Sequence, residues 1–269
     1  MEERMTVLLT GGSSGIGAAT ARELALRGMK VYAASRRGTF EADVQGVVPV
    51  KLDVNDAAMA RELVKEIVEK EGHLDAVVCN AGNGIYGPVE GTLESEARYQ
   101  FETNYFGALN TINACLPVFR SQGHGRIITV TSVMAVLQLP FQGFYSSAKA
   151  ALLSISESLA MELKGSGIQC CAILPGDVAT GFTQARRQNE AALDPQSPYR
   201  SKMERNLAII ERDEQNGMAP EAIARAIAAQ LCRRRMAVRV VPGLQYKAVA
   251  VLARILPESW KQFIIGKIY

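Results

Sequence analysis

Seven short apolar runs, most of them set apart by helical patterns, restrict this 269-residue chain to very few folds. MTVLLT (5–10), KVYAAS (30–35), VVPVKLD (47–53), DAVVCN (75–80), GRIITVTS (125–132), IQCCAILP (168–175) and MAVRVVP (236–242) are mostly continuous rather than alternating. A strand with one wet face alternates, so continuous runs point to parallel strands covered on both faces. Helical periodicity marks about 15–28, 56–71, 92–122, 143–165 and 220–232. This order predicts the α/β class: one doubly wound, parallel, seven-stranded sheet with helices on both faces. No repeat or linker divides residues 1–269, which read as a single domain. Residues 181–218 break the rhythm, being polar and carrying Pro195 and Pro198 after the sixth strand. An insertion at that end of a strand predicts a wall or lid on the substrate side.

The first strand runs into Thr10-Gly-Gly-Ser-Ser-Gly-Ile-Gly17. Gly11-x-Ser13-x-Gly15 satisfies the pattern of a hydrolase nucleophile elbow. That chemistry needs a histidine base late in the chain, whereas His73 and His124 are the two histidines and the last 145 residues hold none. A phosphate cradle suits the loop better. Gly11 permits the sharp turn, Gly15 a close backbone approach, and Gly17 the packing of helix on strand. The helix that opens at Gly15, Ile16 and Gly17 then offers free N–H groups and its positive dipole end to a pyrophosphate. Ser13 and Ser14 add hydroxyl donors. The sheet is accordingly expected to be of the Rossmann type, with a dinucleotide over its first turn.

Net charge is only +3, too little to imply nucleic acid. It is unevenly spread: residues 221–269 carry +7, and residues 1–220 carry −4. A basic, apolar C-terminus is compatible with weak contact to a membrane surface or an acidic partner, or with solvation of outer helix faces. No signal peptide or integral membrane span is expected. Five cysteines, two of them adjacent and none in a ligand spacing, argue for reduced thiols, a cytoplasmic location and no metal.

T-G-x-x-x-G-x-G resembles the short-chain dehydrogenase/reductase family, and further elements follow in that family's order. Asn80-Ala81-Gly82 matches its N-A-G element, although Cys79 stands where a second asparagine is common. Asn104 lies in FETNYFGA, Ser132 closes the fifth strand, and Tyr145 with Lys149 forms Y-x-x-x-K. Pro175-Gly176, with Val178 and Thr180, fits the element after the sixth strand. The resemblance covers about residues 5–182 and implies an oxidoreductase with Asn104, Ser132, Tyr145 and Lys149 as its catalytic set. It also implies that Asn80, Ala81, Gly82, Tyr145, Lys149, Pro175, Gly176, Val178 and Thr180 contact the coenzyme, and that Lys149 holds the nicotinamide ribose. Asn104 would anchor a water beside Lys149, or serve only as a satisfied helix amide. Asp53 resembles the family's adenine-contacting acid; the alternative is a helix cap. Asn80 would equally tie adjacent strands together.

Tyr145 and Lys149, four apart, share a helix face. A nearby ammonium lowers a phenol's pKa from its ordinary value near ~10, bringing it toward use as an acid or base. Tyr145 would then protonate a carbonyl oxygen that Ser132 holds. The second strand ends in Ser35-Arg36-Arg37 with no carboxylate before Glu41, which favours NADP(H) over NAD(H).

Met134, Val136, Leu137, Leu139, Phe141 and Phe144 suit a lipophilic carbonyl or alcohol, and the stretch resembles the hydroxysteroid and retinol dehydrogenase branch. Arg186 and Arg187 keep open an anionic 3-oxoacyl carrier-protein or CoA substrate. A dinucleotide-sensing regulator without turnover is a further alternative, for which the Tyr145 acid would be superfluous. Small residues Ala148, Ala150, Ala151, Ser154 and Ser158 permit close helix approach, and the resemblance implies a homodimer or homotetramer.

Overall fold

The computed structural model describes residues 4–41 and 43–269. Its strands are β1 (Thr6–Thr10), β2 (Lys30–Ser35), β3 (Val47–Lys51), β4 (Ala76–Cys79), β5 (Ile85–Tyr86), β6 (Gly125–Val130), β7 (Ile168–Ile173), β8 (Arg187–Gln188) and β9 (Arg239–Val240). Its helices are α1 (Gly15–Leu26), α2 (Ala57–Glu71), α3 (Glu94–Phe101), α4 (Gly107–Gln122), α5 (Gly143–Glu162) and α6 (Phe182–Ala185). There follow α7 (Glu190–Leu193), α8 (Arg200–Gln215), α9 (Pro220–Leu231), α10 (Leu244–Ile255) and α11 (Glu258–Ile268). Seven strands form one parallel sheet in the order β3-β2-β1-β4-β6-β7-β9. The expected Rossmann-type sheet is present.

Burial on both faces explains the continuous apolar runs. Leu8, Val77, Ile127 and Cys170 pack on one side against Val64 and Ile67 of α2, Ile112 and Phe119 of α4, and Leu152 of α5. Their sequence neighbours Val7, Leu9, Val78, Ile128 and Cys171 pack on the other against Leu24 of α1 and Ile223 and Ile227 of α9. Adjacent strand residues thus enter different helix layers, and the polar residues buried among them, such as Thr129 against Ser156 of α5 at 2.8 Å, are hydrogen-bonded.

Two departures from the sequence reading shape the site. The single helix expected over 92–122 is interrupted by a π-helical turn, Glu102–Phe106, between α3 and α4. There the Asn104 side-chain amide donates to the Gln100 carbonyl at 2.9 Å, and the Gly107 N–H reaches back five residues to Glu102. The extra residue per turn tips Asn104 inward, where it is fully buried. The second departure is in 181–218, which carries structure of its own. β8 pairs with β5, pinning this segment to the loop after β4, and the Tyr86 hydroxyl donates to the Met203 carbonyl of α8 at 2.8 Å. No helix among the described residues is long and apolar enough to cross a membrane.

Candidate active site

The turn after β1 is held at both ends. Asn80 Nδ2 donates to the carbonyls of Thr10 and Gly11, both at 3.1 Å, while Thr10 Oγ1 accepts from the N–H groups of Asn80 and Ala81. Asn80 therefore ties β1 to β4, the plainer of its two readings, and in doing so it shapes the glycine turn. Gly15 has a φ of +50°, a conformation that side chains disfavour. Gly17 lies against the turn so closely that a Cβ there would fall 2.0 Å from the Gly11 carbonyl oxygen. Ser14 stands at the N-cap of α1 but makes no side-chain cap bond, so the helix's first N–H groups remain available to an anion.

Ser132 follows β6, and Tyr145 and Lys149 project from α5. Lys149 is buried; its ammonium donates to the Val130 carbonyl at 3.0 Å and lies 5.8 Å from the Tyr145 ring centroid. Burial lowers the Lys149 pKa to about 8. Tyr145 behaves differently from the expectation of a lowered value. Burial raises its phenol to about 12, and a hydrogen bond with Ser132 opposes that rise. Desolvation is the largest contribution, and the Glu214 and Asp177 charges add to it while Arg186 opposes it.

Asn104 completes this group through Gly82. Its Nδ2 donates to Asn83 Oδ1 at 2.7 Å, to the Asn83 carbonyl and to that of Gln100, whereas its buried Oδ1 has no hydrogen-bond partner among the described residues. A Cβ on Gly82 would sit 2.8 Å from that Oδ1 and 3.4 Å from Lys149 Nζ, so both atoms look onto one small space. The satisfied-amide reading accounts for Nδ2 but not for Oδ1. A water or ligand hydroxyl fits there.

A cavity of about 1170 Å³ joins these parts. Gly11, Ser13, Ser14, Gly15 and Ile16 line one end, with Ser35, Arg36, Arg37 and Asp53 beside them. Asp53 does not cap α2. It accepts from the Asn55 N–H, and the cap is Asp56, which accepts from Ala58 and Met59. Asn80, Ala81, Gly82, Ser132, Tyr145, Lys149, Pro175, Gly176, Val178 and Thr180 line the middle. Gly17 and Asn104 stand behind this wall. A cavity lined by an uncapped helix N-terminus and by exposed guanidinium groups fits a dinucleotide.

Of the expected apolar substrate residues, Met134, Leu137 and Leu139 line the cavity; Val136, Phe141 and Phe144 do not. Phe141 packs instead among Tyr86 and Tyr199. Arg186 is not open to an anion either, for it is buried in an ion pair with Glu214, and Arg187 lies 4.7 Å over the ring of Tyr99. The far end of the cavity is formed by residues that the motif search passed over: Phe182, Glu214, Tyr246, Val249, Leu256, Ile265 and Tyr269. Apolar periodicity on two faces of residues 244–268 was the signal available for finding most of them.

The family model for short chain dehydrogenase matches residues 5–191. The chain belongs to the short-chain dehydrogenase family. A relative in Bacteroides thetaiotaomicron, a 3-ketodihydrosphingosine reductase, is 34% identical over 264 residues, covering 98% of this chain and 97% of the relative. A short chain dehydrogenase/reductase from Burkholderia phymatum in complex with NAD superimposes with a TM-score of 0.79 at 25% identity, covering 94% of both chains. A short chain dehydrogenase from Burkholderia cenocepacia in complex with NADP gives 0.76 at 25% identity, covering 98% of both. The enzyme is therefore an oxidoreductase of a family that binds NAD or NADP. Neighbours with each coenzyme occur, so likeness alone does not choose between them.

Proposed function

We propose that this enzyme uses NADPH to reduce a ketone carried on a long, lipophilic substrate. The supporting observation is the cavity itself, which is lined at once by the glycine turn and Arg36, by Ser132, Tyr145 and Lys149, and by the apolar Met134, Leu137, Leu139, Val249 and Leu256. When bound, the nicotinamide supplies a hydride to the carbonyl carbon. Gly11, Ser13, Ser14, Gly15 and Ile16 would hold its pyrophosphate, and Arg36 the 2′-phosphate. Tyr145 and Lys149 would contact its ribose, with Pro175, Gly176, Val178 and Thr180 along the opposite edge.

The protein's own residues handle the proton. Ser132 fixes the carbonyl oxygen, and Tyr145, kept protonated by burial, donates to that oxygen as negative charge develops. Lys149, with its pKa near 8, can resupply the phenol, and Asn104 Oδ1 supports a water behind it. In this reading residues 1–269 act as one domain, 181–218 covers the substrate, and α5 pairs with a second copy through its small residues.

The reductase named above acts on a long-chain 3-ketone, and this chain matches it along almost its whole length. A sphingoid-like 3-ketone is thus the first substrate to try. Pairing of Arg186 with Glu214 takes away one of the two cations that favoured an acyl-carrier or CoA substrate and leaves Arg187, exposed over the ring of Tyr99, as the other. The test is NADPH oxidation, followed at the nicotinamide band, with 3-ketodihydrosphingosine, steroid ketones, retinal and 3-oxoacyl-CoA. Turnover of the long-chain ketone above the others is expected. Turnover of 3-oxoacyl-CoA alone, or of none, would overturn the proposal.

A further inference from the structure

The C-terminal helix pair is apolar on two sides. Along α10 and at its C-cap, Tyr246, Val249, Ala253 and Leu256 line the cavity, while Leu244, Val251 and Ile255 recur on the outside. Ile265 of α11 and Tyr269 just after it face the cavity, and Trp260 and Phe263 are 63% and 64% exposed. More than half of the large apolar side chains exposed among the described residues lie on this pair. Apolar side chains gathered on an outer helix face with nothing packed over them mark an interaction surface.

Charge narrows what covers them. Lys247, Arg254 and Lys267 stand exposed among the apolar residues, and no ion pair holds them among the described residues; Lys261 is paired with Glu258 at 2.5 Å. An isologous contact with a second copy would set this positive surface against itself. Trp, Phe and Leu mixed with exposed Lys and Arg, Lys267 lying 4.7 Å over the Phe263 ring, instead suits the headgroup boundary of an anionic bilayer. The cavity opens in the same direction: Leu252, Ile264 and Ile268 line it and are also about half exposed.

We infer that α10 and α11 form a docking surface for an anionic lipid membrane, with the cavity mouth facing the bilayer. A lipophilic ketone would then enter from the leaflet past Leu252, Ile264 and Ile268; this route, but not the docking, rests on the proposed function.

Trp260, the chain's single tryptophan, is a built-in probe. The full-length protein is titrated with phosphatidylcholine vesicles, with and without one-third phosphatidylserine, while Trp260 emission and co-flotation are followed. Docking predicts a blue shift and flotation with the anionic vesicles, both weakened by high salt. Ile255→Glu/Phe263→Glu should lower vesicle affinity at least about tenfold. Lys247→Gln/Arg254→Gln/Lys267→Gln, which touches only exposed cations, should abolish the preference for phosphatidylserine. Neither variant alters a cavity-lining residue, so reduction of a water-soluble ketone without vesicles should stay within about twofold. Vesicle binding without turnover of any ketone would uphold the docking and reject the proposed function. Absence of both shift and flotation, or equal binding to neutral and anionic vesicles, would overturn the inference. So would loss of self-association in the Ile255/Phe263 variant with no vesicle binding by the wild type, which would assign the surface to a second copy.

Discussion

Tyr246 lies flat on Gly176: a Cβ at that glycine would fall 2.1 Å from Tyr246 Cδ1, and the tyrosine hydroxyl donates to Asp177 Oδ2 at 3.0 Å. One side chain thus fastens α10 to the element after β7. Burial raises the Asp177 pKa, and the Tyr246 bond opposes the rise. Tyr246→Phe should leave a half-buried carboxylate short of a donor and cost about 1–2 kcal/mol. The expected result is a lower melting temperature and faster proteolysis within 244–269. Unchanged proteolysis would mean that other contacts hold α10.

Tyr145→Phe removes the one phenol placed beside Ser132. Reduction should fall by roughly 10²–10⁴-fold, the usual contribution of a positioned acid. Coenzyme affinity, measured by quenching of Trp260 emission or by calorimetry, should change little, because the ring remains. Retention of most activity would show that another group supplies the proton.

The glycine turn and the strand ends were readable because each satisfies a local demand. Gly17 must lack a Cβ, and Leu8 and Leu9 must both be apolar because they enter different helix layers. The inward turn of Asn104 was not readable, since the apolar pattern of 92–122 runs through it and the π-helical residue arises from side-chain bonding to Gln100 and Asn83. Tyr145 shows a different limit. Its spacing to Lys149 identifies a shared helix face, but the direction of its pKa shift depends first on burial, which only the folded chain sets. Arg186 resembles a free cation until Glu214, 28 positions away, is brought against it.

That pair carries a stability prediction. The Arg186 side chain is 3% exposed, its Nε and Nη1 have no hydrogen-bond partner among the described residues, and Thr183 orients Glu214 through a 2.6 Å bond. Glu214→Ala strands a buried guanidinium and should cost about 3–5 kcal/mol. Replacing both members, Arg186→Met with Glu214→Met, should recover most of that loss. Chemical denaturation of the three proteins checks it; equal stability of Glu214→Ala and wild type would mean that water reaches the pair.

Lys149 couples activity and stability to pH. Its folded pKa, about 8, lies below the ordinary 10.5, so the unfolded chain holds that proton more tightly. The resulting destabilisation is fully present below about 8 and shrinks as pH rises toward 10.5. Lys149→Met should therefore be inactive yet more stable than wild type at neutral pH, by about 1–3 kcal/mol, with the difference closing as pH rises through that window. In the wild type, kcat/KM for reduction should decline above about pH 8 as the ammonium is lost. A stability difference independent of pH would show that the lysine is not strained by its burial.

Coenzyme choice is the remaining prediction, and it turns on the end of β2. Ser35 is buried and accepts the Gly38 N–H at 3.1 Å, which fixes the turn and leaves Arg36 and Arg37 exposed at the cavity edge. No ion pair holds either arginine among the described residues, and no carboxylate occupies the position that would accept from a ribose 2′-hydroxyl. Arg36 follows the strand directly and is the better placed of the two. A charge-assisted contact of this kind contributes roughly 1.5–3 kcal/mol, less where water competes. That corresponds to about tenfold or more in affinity. NADPH should exceed NADH by at least about tenfold in kcat/KM, and the ratio should fall in Arg36→Ala and at high salt. Lys51, exposed at the end of β3 with no ion pair among the described residues, provides a control: Lys51→Gln should leave the ratio unchanged, because the residue does not line the cavity. Equal use of the two coenzymes by the wild type would refute the role given to Arg36 while leaving the Ser132, Tyr145 and Lys149 chemistry untouched.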